Sequence, residues 1–164
     1  MKYSFSEIEG KEVYPICVKN NGKHYLTLYY YTAHSDSVLH SNAKSIVCFQ
    51  SSDQMNAFCK KHELKIEEEI AEYDFDAPIE NPVDYTRVLN NWNLLNTIAG
   101  AFGMYFEGDS KKYTPLYRLL FRLNTPIEPI PPVYRFHERD YQAILKVFRK
   151  KDRFLKLFEL YCEE

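Results

Sequence analysis

The apolar pattern of the first 50 residues is typical of β-structure. Residues 13–19 and Lys23–Tyr31 are rich in β-branched and aromatic side chains, and they flank an Asn-Asn-Gly segment at 20–22. Because Asn-Gly readily adopts the positive φ angles of a tight turn, this segment predicts a β-hairpin. We expect a polar loop at 33–44 and then a third strand at 45–50.

From residue 51 onward, apolar positions recur at the three- and four-residue intervals of amphipathic helices. Ser51 and Gln54 resemble a capping box, which predicts a short helix ending near His62. Asn81 followed by Pro82 predicts the start of a longer helix, with asparagine as its N-cap and proline in its first turn. Gly108 is expected to end that helix.

The remaining segments predict further helices and one break. Thr114 with Pro115 opens a helix, whereas the four prolines in 126–132 exclude one. Residues 138–150 and 152–162 predict two helices or one bent helix. Residues 65–71 fit either a strand or a helical continuation, and we favour a strand.

Together these elements predict one α+β domain over residues 1–164. A small antiparallel sheet from the N-terminal half is expected to pack against four to five helices, which come mainly from the C-terminal half. The hydrophobic fraction of 45% and the aromatic fraction of 16% suffice for a core and exclude wholesale disorder.

The long helix carries two unusual sets of residues. Trp92 lies on its apolar stripe and is expected in the core. Gly100 and Gly103 are poor helix formers and are expected to permit close packing. Asparagine is also a mediocre helix residue, and four asparagines are expected to cap or bridge polar groups. They are Asn90, Asn91, Asn93 and Asn96.

Charge is distributed unevenly along the chain. Residues 1–84 hold 8 Lys and Arg against 14 Asp and Glu, a charge of −6, and residues 85–164 hold 13 against 9, a charge of +4. Residues 63–84, which we call the acidic block, contain nine carboxylates and a single lysine. Because crowded like charges repel, such a block is either a solvated face or the complement of a basic partner.

We expect the acidic block to bind a basic protein, with Tyr73 and Phe75 as aromatic anchors between the charges. The expected contact residues are Glu67, Glu68, Glu69, Glu72, Tyr73, Asp74 and Asp76.

Two other functions compete with this one. The first is a metal-dependent hydrolase or transferase that uses Asp74 and Asp76 with His34 or His40. The second is a nucleic-acid-binding module that uses the basic C-terminal helices. Its basic residues are Lys146, Arg149, Lys150, Lys151, Arg153 and Lys156.

No P-loop, nucleophile elbow or G-x-G-x-x-G motif occurs, so we expect no enzymatic activity, no catalytic residue, no cofactor and no metal. A sequence pI near 6.2 argues against broad attraction to nucleic acid.

The start lacks a secretory signal, and no apolar run reaches membrane-spanning length. The cysteines form no C-x-x-C pair, which indicates free thiols in a cytoplasmic protein. They are Cys17, Cys48, Cys59 and Cys162.

Residues 84–99 (DYTRVLNNWNLLNTIA) together with 117–121 (YRLLF) resemble the core of bacterial contact-dependent growth inhibition immunity proteins, which neutralise polymorphic toxins. The likeness covers about half of the chain, and no binding residue is carried over by motif. The resemblance implies a stoichiometric inhibitor that binds a cognate basic toxin domain, in this case a nuclease, and blocks its active site or an adjacent surface.

Overall fold

Eight strands and five α-helices form the described part of this computed structural model, which comprises Phe5, residues 7–41 and residues 44–162. The strands are β1 (Glu12–Asn20), β2 (Lys23–Tyr31), β3 (Asp36–Val38), β4 (His40–Ser41), β5 (Ser45–Cys48), β6 (Lys65–Ile66), β7 (Ala71–Asp74) and β8 (Phe158–Leu160). The α-helices are α1 (Ser52–Lys61), α2 (Tyr85–Phe102), α3 (Thr114–Leu123), α4 (Glu138–Phe148) and α5 (Asp152–Leu155). Short 3-10 turns at Glu107–Asp109 and Lys111–Tyr113 connect α2 to α3.

The main sheet is built on the predicted hairpin. β1 and β2 pair antiparallel, and both turn residues have positive φ, 52° at Asn21 and 72° at Gly22. These angles are the ones that the Asn-Gly signal predicts, so the hairpin is confirmed. β3 pairs with the outer edge of β2, while β6 and β7 both pair in parallel with the other edge of β1.

The edge formed by β6 and β7 is interrupted opposite Pro15. β6 pairs with β1 as far as Val13, and β7 resumes at Ile16. Pro15 is paired with Leu28 of β2, and the Leu28 carbonyl accepts the N–H of Leu39 rather than an N–H of β1. In an antiparallel pair without hydrogen bonds to each other, both residues point their backbone groups outward, so the Pro15 nitrogen faces the β6–β7 edge. Because proline has no N–H to donate there, the ladder breaks and residues 67–70 loop out.

This result resolves the ambiguous segment 65–71 as two short strands with a loop between them. The preferred strand assignment is therefore confirmed at both ends, although both strands run parallel to β1. The sheet is mixed, whereas the sequence predicted an antiparallel one.

A second, smaller sheet has the order β4-β5-β8. Two predictions were wrong here. Residues 33–44 are not simply a polar loop, because β3 and β4 lie within them and Ser37, Val38 and Leu39 are buried. Residues 152–162 form only one helical turn before β8, because β5 offers an open edge to which Phe158–Leu160 pairs in parallel. This tertiary pairing overrides the helical spacing of the apolar residues.

The main sheet separates two hydrophobic clusters. Alternate β1 residues Ile16 and Val18 face the cluster that contains α2, with Trp92 at its centre and 2% exposed. Val13 and Leu28 face the other cluster, which packs against α1 through Phe58. Trp92 therefore lies in the core, as predicted. The arrangement confirms an α+β fold in which a small sheet packs against helices.

Helix α1 begins as predicted, and α2 does not. The hydroxyl of Ser51 accepts a hydrogen bond from the N–H of Gln54, as its capping prediction requires. α2 begins at Tyr85 with Asp84 as its N-cap, rather than at Asn81. The Asn81 amide instead bridges to the backbone of Phe136, accepting its N–H and donating to its carbonyl.

Glycine also sets the end of α2, but not at Gly108. The helix ends at Gly103, whose φ of 61° and N–H bond to the Ala99 carbonyl form a left-handed cap. Gly103 and Gly100 have open space where a Cβ would lie, so close packing at these two positions was wrongly predicted. The close approach is at Gly108, where a Cβ would lie 2.7 Å from Trp92 Nε1.

Candidate protein-binding surface

Most of the predicted contact residues lie along the β6–β7 edge of the main sheet. Glu67, Glu68 and Glu69 are exposed in the loop that Pro15 creates, and Glu72 is exposed on β7. We call residues 67–70 the acidic loop. Its last residue, Ile70, is a large hydrophobic side chain that is nevertheless 39% exposed. Charge and one apolar contact are thus presented together at the sheet edge.

The acidic loop carries uncompensated charge. Glu12, at the start of β1, forms a side-chain hydrogen bond with Glu67, and this bond, partial desolvation and the charges of Glu12 and Glu68 raise the pKa of Glu67. Among the residues that the structure describes, no lysine, arginine or histidine nitrogen forms an ion pair with Glu67, Glu68 or Glu69. The repulsion predicted from the sequence is therefore present in the folded chain.

The two predicted aromatic anchors differ in exposure. Along β7, alternate side chains point to opposite faces, so Tyr73 lies on the face of α2 while Glu72 lies on the other. Tyr73 is half-buried and lines a groove on that face. Phe75 is only 5% exposed and belongs to the α2 cluster, so the expectation that it serves as an exposed anchor was wrong.

Asp74 and Asp76 bind backbone N–H groups of the protein itself. Desolvation raises the pKa of Asp74, but hydrogen bonds from the N–H groups of Ala77 and Asp76, together with the charges of Lys19 and Arg87, outweigh it and lower that pKa. The carboxylate of Asp76 accepts the N–H groups of Asn21 and Gly22 in the hairpin turn. Both residues still contribute negative charge to the edge, but their oxygens hold the fold.

Cations of the C-terminal half hold the same segment through its backbone. The Arg87 guanidinium donates to the carbonyls of Ala77 and Pro78, at 2.7 and 2.9 Å, and the Lys151 ammonium donates to the carbonyl of Phe75. The positive and negative halves of the sequence therefore meet at residues 74–78. The amide of buried Asn91 adds a hydrogen bond to the Asp74 carbonyl at 2.8 Å, which agrees with its predicted bridging role.

A groove of about 560 Å³ runs beside the acidic loop, between the main sheet and α2. We call it the tyrosine groove, because five tyrosines line it: Tyr14, Tyr29, Tyr31, Tyr73 and Tyr117. Three exposed asparagines of α2, at positions 90, 93 and 96, form the helical side. No lysine or arginine lines it among the described residues.

Sequence reasoning missed most of this groove. The alternation of Tyr29 and Tyr31 on β2, and the three-residue spacing of the asparagines, were visible signals of two facing surfaces. The asparagines do not cap the helix; Asn93 accepts a hydrogen bond from the Tyr117 hydroxyl at 2.7 Å. Which strand face meets which helix face depends on tertiary packing.

The residues of the competing hydrolase do not converge. Asp76 lies at the hairpin turn where β2 begins, whereas His34 follows the opposite end of β2. At about 3.3 Å per residue, the two ends of this strand are about 26 Å apart. His40 binds the Val38 carbonyl through Nδ1 and packs on Phe102. Within Phe5, 7–41 and 44–162, no group of three or more His, Cys, Asp and Glu side chains is placed to hold a metal ion.

The basic C-terminal residues lie apart from the acidic loop. Lys146, Arg149, Lys150 and Arg153 line a cavity of about 160 Å³ with Tyr105 and Phe106. The Lys151 ammonium donates a hydrogen bond to the Phe75 carbonyl. Four of the six basic residues are therefore brought together at one small cavity, and Lys151 is held in a structural contact. None of the helices in the described part of the chain combines the length and apolar character needed to cross a bilayer.

Comparison with known proteins supports the fold alone. No family model matches the chain, and no curated protein has a matching sequence. The crystal structure of the SatS C-terminal domain, in complex with bromine, is similar with a TM-score of 0.56 at 15% sequence identity. The match covers 91% of this chain and 94% of that domain.

Proposed function

We propose that this chain is a cytoplasmic immunity protein of the contact-dependent growth inhibition type, which binds and neutralises a cognate basic toxin domain. The observation that carries the proposal is the acidic loop, where Glu67, Glu68 and Glu69 stand exposed beside Glu12 with no cation paired to them in the described structure. A chain under no functional constraint gains stability by losing such charges. A basic partner gives a reason to keep them.

The chemistry of the loop favours a protein partner over a small molecule. Carboxylates at the rim of an interface accelerate association with a positively charged surface, and this matters when a toxin must be captured before it acts. Nuclease domains are basic because they bind phosphates, so a nuclease is the partner class we propose first. Glu67, Glu68, Glu69, Glu72 and Tyr73 would make direct contacts, while Asp74 and Asp76 would add charge and hold the segment in place.

The test begins with the toxin domain encoded by the adjacent gene, because immunity genes directly follow the toxin that they silence. Co-expression with this chain is expected to restore growth of cells that produce the toxin domain. Purified components are expected to associate rapidly at low salt, with a rate that falls as ionic strength rises. A toxic neighbour that this chain neither binds nor neutralises would overturn the proposal.

The surface is tested by reversing three charges. The triple variant E67K/E68K/E69K is expected to associate at least about tenfold more slowly at low salt and with a flatter salt dependence. The control E9K/D109K/E128K makes the same change in net charge at three exposed positions outside the acidic block. Equal association rates for the two triple variants would exclude the acidic loop as the docking surface.

A further inference from the structure

The tyrosine groove contains an aromatic corner centred on Tyr31. Its ring lies 5.3 Å from that of Tyr14 and 5.4 Å from that of Tyr29, both in edge-to-face geometry. Tyr31 is 58% exposed, so part of its surface remains open to a ligand. Tyr73 lines the same groove from β7. Ring faces carry negative electrostatic potential, and several rings around one space attract a cation.

Carboxylates border the same corner. Tyr29 donates its hydroxyl to Oδ2 of Asp36 at 2.6 Å, and within the described residues Oδ1 of Asp36 accepts no hydrogen bond. On the other side, desolvation raises the pKa of Tyr14, and the charges of Glu12 and Glu67 raise it further. No lysine or arginine among the described residues lines the groove, so no cationic side chain of its lining offsets these carboxylates.

We propose that the tyrosine groove binds an arginine side chain on an extended segment of the basic partner. A guanidinium is planar, so it stacks on a tyrosine ring and at the same time donates to a carboxylate, here Oδ1 of Asp36. Lysine presents a compact, strongly hydrated charge that does not stack, and it fits this geometry less well.

The asparagine row completes the site. Asn90 and Asn96 are exposed on the helical side of the groove, and their amides offer both donors and acceptors. Such amides match the peptide groups that flank an arginine in an extended chain. Tyrosine with asparagine is also the composition of adaptable protein-binding surfaces, because rigid rings give contact area and amides give polar contacts.

The claim that the arginine belongs to a toxin rests on the proposed function. The binding of arginine to the groove can be tested without a toxin. The probe is acetyl-Gly-Arg-Gly-amide, and the matched control peptide replaces arginine with citrulline, which has the same shape without the charge. We expect the arginine peptide, titrated into ¹⁵N-labelled protein, to shift the side-chain amide signals of Asn90, Asn93 and Asn96. The citrulline peptide is expected to shift them far less.

Variants locate the site. Tyr31→Ala and Asp36→Asn are each expected to weaken peptide binding about fivefold, whereas Tyr31→Phe keeps the ring and stays within about twofold of the original chain. Tyr105→Ala is the matched control, because Tyr105 is 64% exposed and lies outside the groove. Thermal melts confirm that each variant is folded.

Three results would overturn the inference: equal shifts with both peptides, unchanged binding by Tyr31→Ala, or shifts that cluster outside the groove. The two proposals fail separately. A chain that neutralises its toxin without binding the arginine peptide loses only the arginine site. A chain that binds the peptide but neutralises nothing retains the arginine site and loses the immunity function.

Discussion

The carboxylate of Asp76 accepts a hydrogen bond from the backbone N–H of Gly22 at 2.9 Å, although the two residues are 54 positions apart in sequence. The other carboxylate oxygen accepts the N–H of Asn21. A single side chain of the acidic block therefore fastens the hairpin turn to the segment that follows β7. This segment is also the one that Arg87 and Lys151 hold through its backbone.

Asp76→Ala is expected to lower the free energy of unfolding by about 1–2 kcal/mol, because it removes two charge-assisted hydrogen bonds at a partly solvated site. Chemical denaturation measures the loss. Glu80→Ala removes a carboxylate from the same block at an exposed position and is expected to change stability by less than about 0.5 kcal/mol. Equal stability of the two variants would contradict the fastening role.

Two glycines near α2 are expected to respond to alanine in opposite directions. A Cβ at Gly108 would lie 2.6 Å from Phe106 and 2.7 Å from Trp92, so Gly108→Ala should destabilise the fold by about 1–3 kcal/mol. Gly100 lies within α2 with open space around it, so Gly100→Ala should stabilise by about 0.5–1 kcal/mol.

Thermal melts followed by tryptophan fluorescence measure the stability of both variants, since Trp92 is the sole tryptophan in the sequence. Gly108→Ala should also alter the fluorescence of the native state, because its Cβ meets the indole directly. A neutral Gly108→Ala would show that the loop of Gly108 yields without disturbing Trp92.

Local chemistry explains the parts of this fold that the sequence predicted well. The Asn21-Gly22 turn, the Ser51 cap and the amphipathic stripe around Trp92 each depend on residues within a few positions of one another. The β8 strand was missed because its partner, β5, lies about 110 residues earlier and its own spacing resembles a helix.

The candidate site was only partly predictable for a related reason. The acidic loop is continuous in sequence, and its composition already marked it. Its shape depends on Pro15, whose nitrogen faces the β6–β7 edge only once the strand order is known. The tyrosine groove combines β1, β2, β3, β7, α2 and α3, so no contiguous motif could indicate it.

Alkylation is expected to separate the four cysteines by burial. Cys48 and Cys59 are buried, and desolvation raises the pKa of each thiol to about 11. Thiolate is the reactive form, so neither should react with iodoacetamide in the native protein at neutral pH. Cys162 is exposed and should react first, while burial and the charge of Glu72 slow Cys17 by raising its pKa.

Intact-mass spectrometry with peptide mapping follows the order of modification, and denatured protein gives the reference in which all four thiols react. Modification of Cys48 or Cys59 before Cys162 would contradict the burial of these two thiols. A Cys162→Ser variant provides the control, since it should remove the earliest modification and leave the later ones unchanged.

Glu67 is expected to reduce stability while it promotes binding. Its pKa is raised by its hydrogen bond with Glu12, by desolvation and by neighbouring charge, so folding favours the protonated form. Stability should therefore fall as pH rises through the folded pKa. Glu67→Gln should melt at a higher temperature than the original chain at pH 7, and the difference should vanish at a pH below both pKa values. Glu80→Gln, at an exposed position beyond β7, should show no such trend.

If the acidic loop docks a basic toxin, the stabilised Glu67→Gln variant should also associate with it more slowly. A variant that gains stability with no loss of association rate would show that this charge has no role in capture.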